Sequence, residues 1–221
     1  IGMNDMRALA VRLGLFHKAL PIAAPNASFG SYEMVYEDVQ KVLTQLEPTA
    51  FAQRASQWKV WVDAQAQRLK AVFEQRHRAG LVRECHGDLH LANVVKINGE
   101  ITAFDGIDFQ PAMRWIDVVN DVAFLTMDLQ VNGRTDLAAG FMDDYLQATG
   151  DYPGVQVWRF YEVYRALVRA MVAQLSTGGS ASSAGAAYAQ WFDDVTGSAA
   201  QKLNPLPLPI MHGVSGSGNS V

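Results

Sequence analysis

Apolar residues recur every three to four positions over most of this chain, and the exceptions fall together in one stretch near its middle. Residues 3–20 place Met6, Leu9, Ala10, Leu13 and Phe16 on one helical face. After a loop rich in Pro, Ala, Asn, Ser and Gly at 21–31, residues 33–46 repeat the spacing with Val35, Val39, Val42, Leu43 and Leu46, and Pro48 stops the run. A longer helix is predicted over 49–78, with Trp58, Trp61, Val62, Leu69, Val72 and Phe73 turned inward. Gly80 stands just beyond it, where a left-handed C-terminal residue is wanted.

The period changes after Gly80. Residues 81–85 read as a short strand. Residues 94–97 and 101–104 are short apolar runs joined by Asn98-Gly99, the strongest short-range signal for a hairpin. Helical spacing returns at 116–131 (Val118, Val119, Val122, Leu125, Leu129), 134–148 (Leu137, Phe141, Tyr145, Leu146) and 155–175 (Trp158, Tyr161, Tyr164, Val168, Met171, Leu175). Residues 178–185 are small and flexible, and a last helix is predicted over 186–202. The expected fold class is mainly α, an α+β frame with one small β-hairpin set into it and no internal repeat.

Composition narrows the function classes. With 221 residues, 49% of them hydrophobic, the chain can bury a substantial core and is not disordered. A net charge of −4 without a basic stripe argues against nucleic-acid binding. No apolar run reaches the roughly 20 residues of a membrane helix, so no membrane partner is expected. The single cysteine, Cys85, cannot form an internal disulfide and reads as a buried small hydrophobe in a reduced, cytoplasmic protein. The first residues, Ile1-Gly2-Met3-Asn4-Asp5, lack the pattern of a signal peptide and an initiator methionine at position 1. The expectation is a piece of a longer protein.

The chemistry concentrates in the middle, in Glu84-Cys85-His86-Gly87-Asp88-Leu89-His90-Leu91-Ala92-Asn93, the hairpin, and then Phe104-Asp105-Gly106-Ile107-Asp108-Phe109. Phosphoryl transfer needs an aligned hydroxyl and a means of spreading charge over the phosphates. Asp88 can orient an acceptor hydroxyl and take its proton. Mg²⁺ wants oxygen ligands. Asn93 offers an amide oxygen, and Asp105 offers a carboxylate at the far end of the hairpin. His86 is expected to shape the loop by hydrogen bonding, and His90 to be structural. A different chemistry also fits the residue types: His86, Asp88 and His90 at alternating positions, with Asp105 as a fourth ligand, could hold zinc or iron in a hydrolase.

The His-Gly-Asp-Leu-His-Leu-Ala-Asn run, followed by Phe-Asp-Gly-Ile-Asp-Phe, resembles the aminoglycoside phosphotransferase branch of the protein-kinase-like superfamily, most densely over residues 84–128. The resemblance implies a kinase-like C-terminal lobe, ATP as phosphate donor and Mg²⁺ as cofactor. It also implies Asp88 as the catalytic aspartate and Asn93 and Asp105 as metal ligands. Asp108 is a second acid with a possible metal or substrate contact. Asp121 resembles the aspartate of the family's Asp-x-Ala helix and is expected to brace the catalytic loop. The β-rich nucleotide lobe of the superfamily is not found in the first 80 residues. The expected function is therefore phosphate transfer to a hydroxyl of a small molecule by a longer parent protein, with the isolated chain inactive. The competing reading is a non-catalytic remnant or regulatory module of the same fold.

The tail divides the chain further. Residues 1–203 form the expected phosphotransferase-like lobe, and 204–209 (Asn-Pro-Leu-Pro-Leu-Pro) an extended linker. Residues 210–221 carry Gly213, Gly218, Asn219 and Ser220, a P-loop spacing with asparagine in place of lysine. This junction resembles bacterial two-part proteins in which such a lobe precedes a P-loop ATPase domain. The resemblance implies nucleotide contacts from Gly213, Gly218 and Ser220, and covalently linked neighbours on both sides. A Gly/Ser-rich tail without function is the alternative.

Overall fold

The structure, a computed structural model, describes residues 1–176, 178 and 182–197. Three helices lead: α1 (Met3–Ala19), α2 (Tyr32–Leu46) and α3 (Ala52–Arg78). Four short strands follow: β1 (Val82–Glu84), β2 (Val94–Ile97), β3 (Glu100–Ala103) and, after the single-turn α4 (Pro111–Arg114), β4 (Trp115–Asp117). The rest is helical: α5 (Val118–Val131), α6 (Thr135–Thr149), α7 (Val155–Leu175) and α8 (Ser183–Thr196). Helix α5 is the axis of the core. Its residues from Val118 to Leu129 are all buried, and it packs against α6, α7 and α8. A helix that is mostly apolar all round belongs in the interior. Among the described residues no helix is long and apolar enough to cross a membrane.

The hairpin forms where Asn98-Gly99 predicts it. Asn98 (φ 51°) and Gly99 (φ 85°) both take positive φ, the combination a two-residue turn of this hand requires. Val94 pairs with Ala103 and Ile97 with Glu100.

A second, three-residue pairing was not anticipated. β1 and β4 run antiparallel, with Val82 opposite Asp117 and Glu84 opposite Trp115. Residues 116–117, expected to begin a helix, are extended instead, and Asp117 caps α5 by accepting the Val119 amide (2.9 Å). The pairing brings the exit of β1 beside the first turn of α5, and the candidate site follows from this placement.

Two expected core positions are corrected. Phe16 is 48% exposed, and the neighbouring His17 is buried (2%) in its place. Leu175, expected to face inward, is exposed. The expected last helix begins earlier, at Ser183, with Ser182 accepting the Gly185 amide (2.9 Å); residues 198–202 lie outside the described residues. The linker at 204–209 and the P-loop residues Gly213, Gly218, Asn219 and Ser220 also lie outside them.

Candidate active site

The loop from His86 to Asn93 leaves β1 and returns into β2, and two buried aspartates of α5 hold its ends. Asp121 accepts the Gly87 amide at Oδ1 (2.8 Å) and the His86 amide at Oδ2 (3.2 Å). Asp128, seven residues on and so on the same helix face, accepts the Leu91 amide (2.9 Å) and the Tyr188 hydroxyl (2.7 Å). Leu89, fully buried between these points, seats the loop in the core.

Gly87 explains itself by geometry. Its φ is +85°, and an added Cβ would stand 2.7 Å from the Met113 carbonyl oxygen. No side chain fits there without displacing backbone.

Asp88 lies between two neighbours. Asn93 Nδ2 donates to its backbone oxygen (2.9 Å) and to its carboxylate Oδ2 (3.1 Å). His90 Nε2 stands 3.4 Å from the same Oδ2. The His90 tautomer follows from the ring's other nitrogen: Nδ1 accepts the Ala92 amide (3.2 Å), so the proton is on Nε2, facing the carboxylate. The His90 contact holds the Asp88 carboxyl below the usual carboxylate range, against the opposing effect of burial, with help from the Arg165 charge and Asn93. Oδ1 receives no hydrogen bond among the described residues. His90, expected to be structural, thus bears directly on the candidate base.

His86 is fully committed. Its Nδ1 accepts the Asp88 amide (3.3 Å), which leaves the proton on Nε2 to reach the Phe104 carbonyl (2.8 Å). Its own carbonyl accepts the Ile107 amide (2.9 Å), and the Asn93 carbonyl accepts the Phe104 amide (3.0 Å). Three bonds therefore fasten the segment holding Asp105 to the loop holding Asp88 and Asn93. Asp105 has φ 59° and an exposed side chain; Asp108 is exposed further along.

The two metal readings can be compared on these bonds. The hydrolase set does not fit: both ring nitrogens of His86 are used, and the His90 lone pair is taken by an amide, leaving only Nε2–H toward Asp88. The magnesium set fits better. With Nδ2 turned to Asp88, the Asn93 side-chain oxygen meets no donor among the described residues, and neither does the Asp105 carboxylate. Such hard oxygen donors suit Mg²⁺.

Behind the loop lies a network that the hydrophobic pattern does not show. His17 Nδ1 meets the Tyr145 hydroxyl (2.7 Å) and Nε2 meets Asp121 Oδ2 (3.1 Å), all buried. Burial alone would raise the Asp121 pKa; the His17 bond and charge, with the His86 charge and the Gly87 amide, outweigh it and hold the carboxyl below its usual range. Ligand atoms of His17, Cys85 and Asp121 lie within 4.8 Å of one another. The network already uses the His17 and Asp121 atoms, and burial with the Asp121 and Asp117 charges pushes the Cys85 thiol well above its usual value. Cys85 is a neutral core group. A second buried cluster ties α3 to the start of α5: Arg76 binds Asp117 twice (2.7 and 2.9 Å) and Asp151 twice (2.8 and 2.6 Å).

His17, Asp128 and Arg76 were missed in the sequence. One signal existed: Asp121 and Asp128 are the two acidic residues, two turns apart, of a mostly apolar helix.

A profile described as the phosphotransferase enzyme family matches residues 3–161 of the chain. Uncharacterized proteins of Mycobacterium tuberculosis and Mycobacterium bovis are each 35% identical to it over 103 residues, which is 47% of this chain and 21% of theirs. The chain thus spans about a fifth of the length of the curated relatives it matches. Two solved structures of glucosamine kinase, one of them in complex with glucosamine, ADP and inorganic phosphate, are similar at TM-score 0.51 and 17% identity. They cover 92% and 93% of this chain, which accounts for 55% and 53% of theirs. At that identity the likeness establishes a shared fold, consistent with a mainly α, kinase-like lobe.

Proposed function

The chain belongs to the phosphotransferase enzyme family, and from that premise we propose that it supplies the catalytic lobe of an ATP- and Mg²⁺-dependent kinase acting on a hydroxyl of a small molecule. The observation that carries the proposal is the state of Asp88. One carboxylate oxygen is held by Asn93 and His90, the other receives no hydrogen bond among the described residues, and the group stays ionised at neutral pH.

In this reading Oδ1 of Asp88 accepts the hydrogen bond of the acceptor hydroxyl and turns its oxygen toward the phosphate. A carboxylate of low pKa is a weak base, so its main contribution is alignment, and it takes the proton late, as the new P–O bond completes. Asn93 and Asp105 would hold Mg²⁺, with Asp108 as a further candidate. The metal offsets charge on the phosphates when bound. Asp121, Asp128 and His86 keep the loop in place and do not meet substrate.

Residues 3–78 fold into the helices α1–α3, so the nucleotide's α and β phosphates are assigned to a lobe outside this chain. The isolated chain should turn over little. A P-loop domain linked through 204–209 remains part of the proposal for the longer protein, resting on the Gly213, Gly218 and Ser220 spacing alone.

The test is phosphate transfer from ATP by the longer protein, followed by ³¹P NMR. Asp88→Asn should lower the rate by about 10²–10⁴-fold with the melting temperature unchanged. Equal rates in the two proteins would favour the non-catalytic reading of the fold.

A further inference from the structure

A cavity of about 350 Å³ opens between α2, the α4 turn and α7. That volume is within the range of small-ligand pockets. Its wall adjoins the catalytic loop at two points. Asn120 precedes the loop-holding Asp121, and Met113 presents the carbonyl that crowds Gly87. Four charged side chains line it: Asp38, Lys41, Asp117 and Arg165.

Three of these four are in ion pairs. Lys41 Nζ is 2.9 Å from Asp38 Oδ1, and Asp117 is held by Arg76. Arg165 is the exception. It is 5% exposed, its Nε donates to Asn120 Oδ1 (2.8 Å), and its plane lies over the Phe124 ring (4.8 Å to the centroid). Among the described residues it has no ion pair, and neither of its terminal amino nitrogens has an acceptor. Arg165 is among the residues that line the cavity. A guanidinium withdrawn from water costs free energy unless paired, and its fork matches a carboxylate in two parallel bonds. The Arg165 charge also helps lower the Asp88 pKa.

Resting on the phosphotransferase reading above, we infer that the acceptor carries an anionic group, a carboxylate in the first instance, gripped by Arg165 in this cavity while a hydroxyl of the same molecule reaches Asp88. A cationic amino sugar would meet an unpaired guanidinium here and be disfavoured. The predicted substrate class is therefore a small hydroxy acid, unlike the glucosamine bound in the structural neighbour.

The experiment is a charge series on one ring. Binding of glucuronate, glucose and glucosamine to the 221-residue chain is measured by calorimetry, with Arg165→Met and Arg165→Lys beside the native protein. The native chain should bind glucuronate at least tenfold tighter than glucose, and glucosamine more weakly than glucose. Arg165→Met should remove the preference for glucuronate over glucose; Arg165→Lys should keep part of it. Glucosamine binding as well as glucuronate, no glucuronate binding, or a preference that survives Arg165→Met would each overturn the inference. The comparison among sugars on the native chain stands even if a variant fails to fold. Asp88-dependent transfer together with a glucosamine preference would overturn only this inference; a glucuronate preference without Asp88-dependent transfer would overturn only the kinase reading.

Discussion

Asp121 and Asp128 stand two turns apart on α5 and hold the two ends of the loop that carries Asp88, through the Gly87 amide at 2.8 Å and the Leu91 amide at 2.9 Å. One buried helix thus sets the position of the Asp88 loop. Asp128→Asn leaves one acceptor oxygen for two donors, Leu91 N–H and the Tyr188 hydroxyl. The expected cost is about 1–3 kcal/mol, a fall in melting temperature of about 2–12 °C. Hydrogen exchange should show the Leu91 amide opening first; unchanged exchange there would remove Asp128 from the support of the loop.

Acid sensitivity follows from Asp121. Its folded-state pKa is below that of the unfolded chain, so the unfolded chain binds the proton more readily. The stability it contributes is complete above the unfolded value, about 3.9, and is lost as pH falls through the lower folded value. His17→Gln removes the group that most lowers this pKa. The midpoint of acid unfolding, followed by circular dichroism, should move to higher pH. An unmoved midpoint would show that His17 does not stabilise the carboxylate.

Gly87→Ala tests the loop from its backbone. The added methyl meets the Met113 carbonyl at 2.7 Å in a conformation with φ +85°. Loss of phosphate transfer by the longer protein is expected, with chemical-shift changes on both sides of the contact, at 86–89 and 112–114. Full activity would mean that the loop tolerates another path.

Arg76→Met strands Asp117 and Asp151, whose carboxylates are buried against the guanidinium. Removing one partner of such a cluster costs about 3–5 kcal/mol, so a drop in melting temperature on the order of 10 °C is expected by calorimetry. The triple replacement Arg76→Met, Asp117→Ala, Asp151→Ala should recover part of it.

The helices and the hairpin were legible because each rests on local rules. Apolar residues at helical spacing mark α2, α3, α5, α6 and α7, and Asn98-Gly99 marks the β2–β3 turn through its need for positive φ. That the hairpin returns the segment of Asp105 to the loop of Asp88 and Asn93 was legible from residue order, and three hydrogen bonds at His86 and Asn93 hold it there. What escaped was long-range and polar. The pattern placed Phe16 in the core, whereas the core takes His17, because Tyr145 and Asp121, over a hundred residues away, satisfy both of its ring nitrogens. The β1–β4 pairing is three residues long, too short for any period to register. Nothing local marks Arg76, and only the fold brings Asp117 and Asp151 to it.

The central claim is that Asn93 and Asp105 share one divalent cation next to Asp88. Mn²⁺ titrated into the chain with ADP present, with the side-chain signals of asparagine and aspartate observed by NMR, tests it most directly. Asn93 and Asp105 should broaden together at the lowest Mn²⁺ concentration, followed by Asp88, and Asp105→Ala should abolish the broadening at Asn93. Broadening of Asn93 and Asp105 at separate concentrations, or at Asp38 or Asp63 before either, would contradict the account.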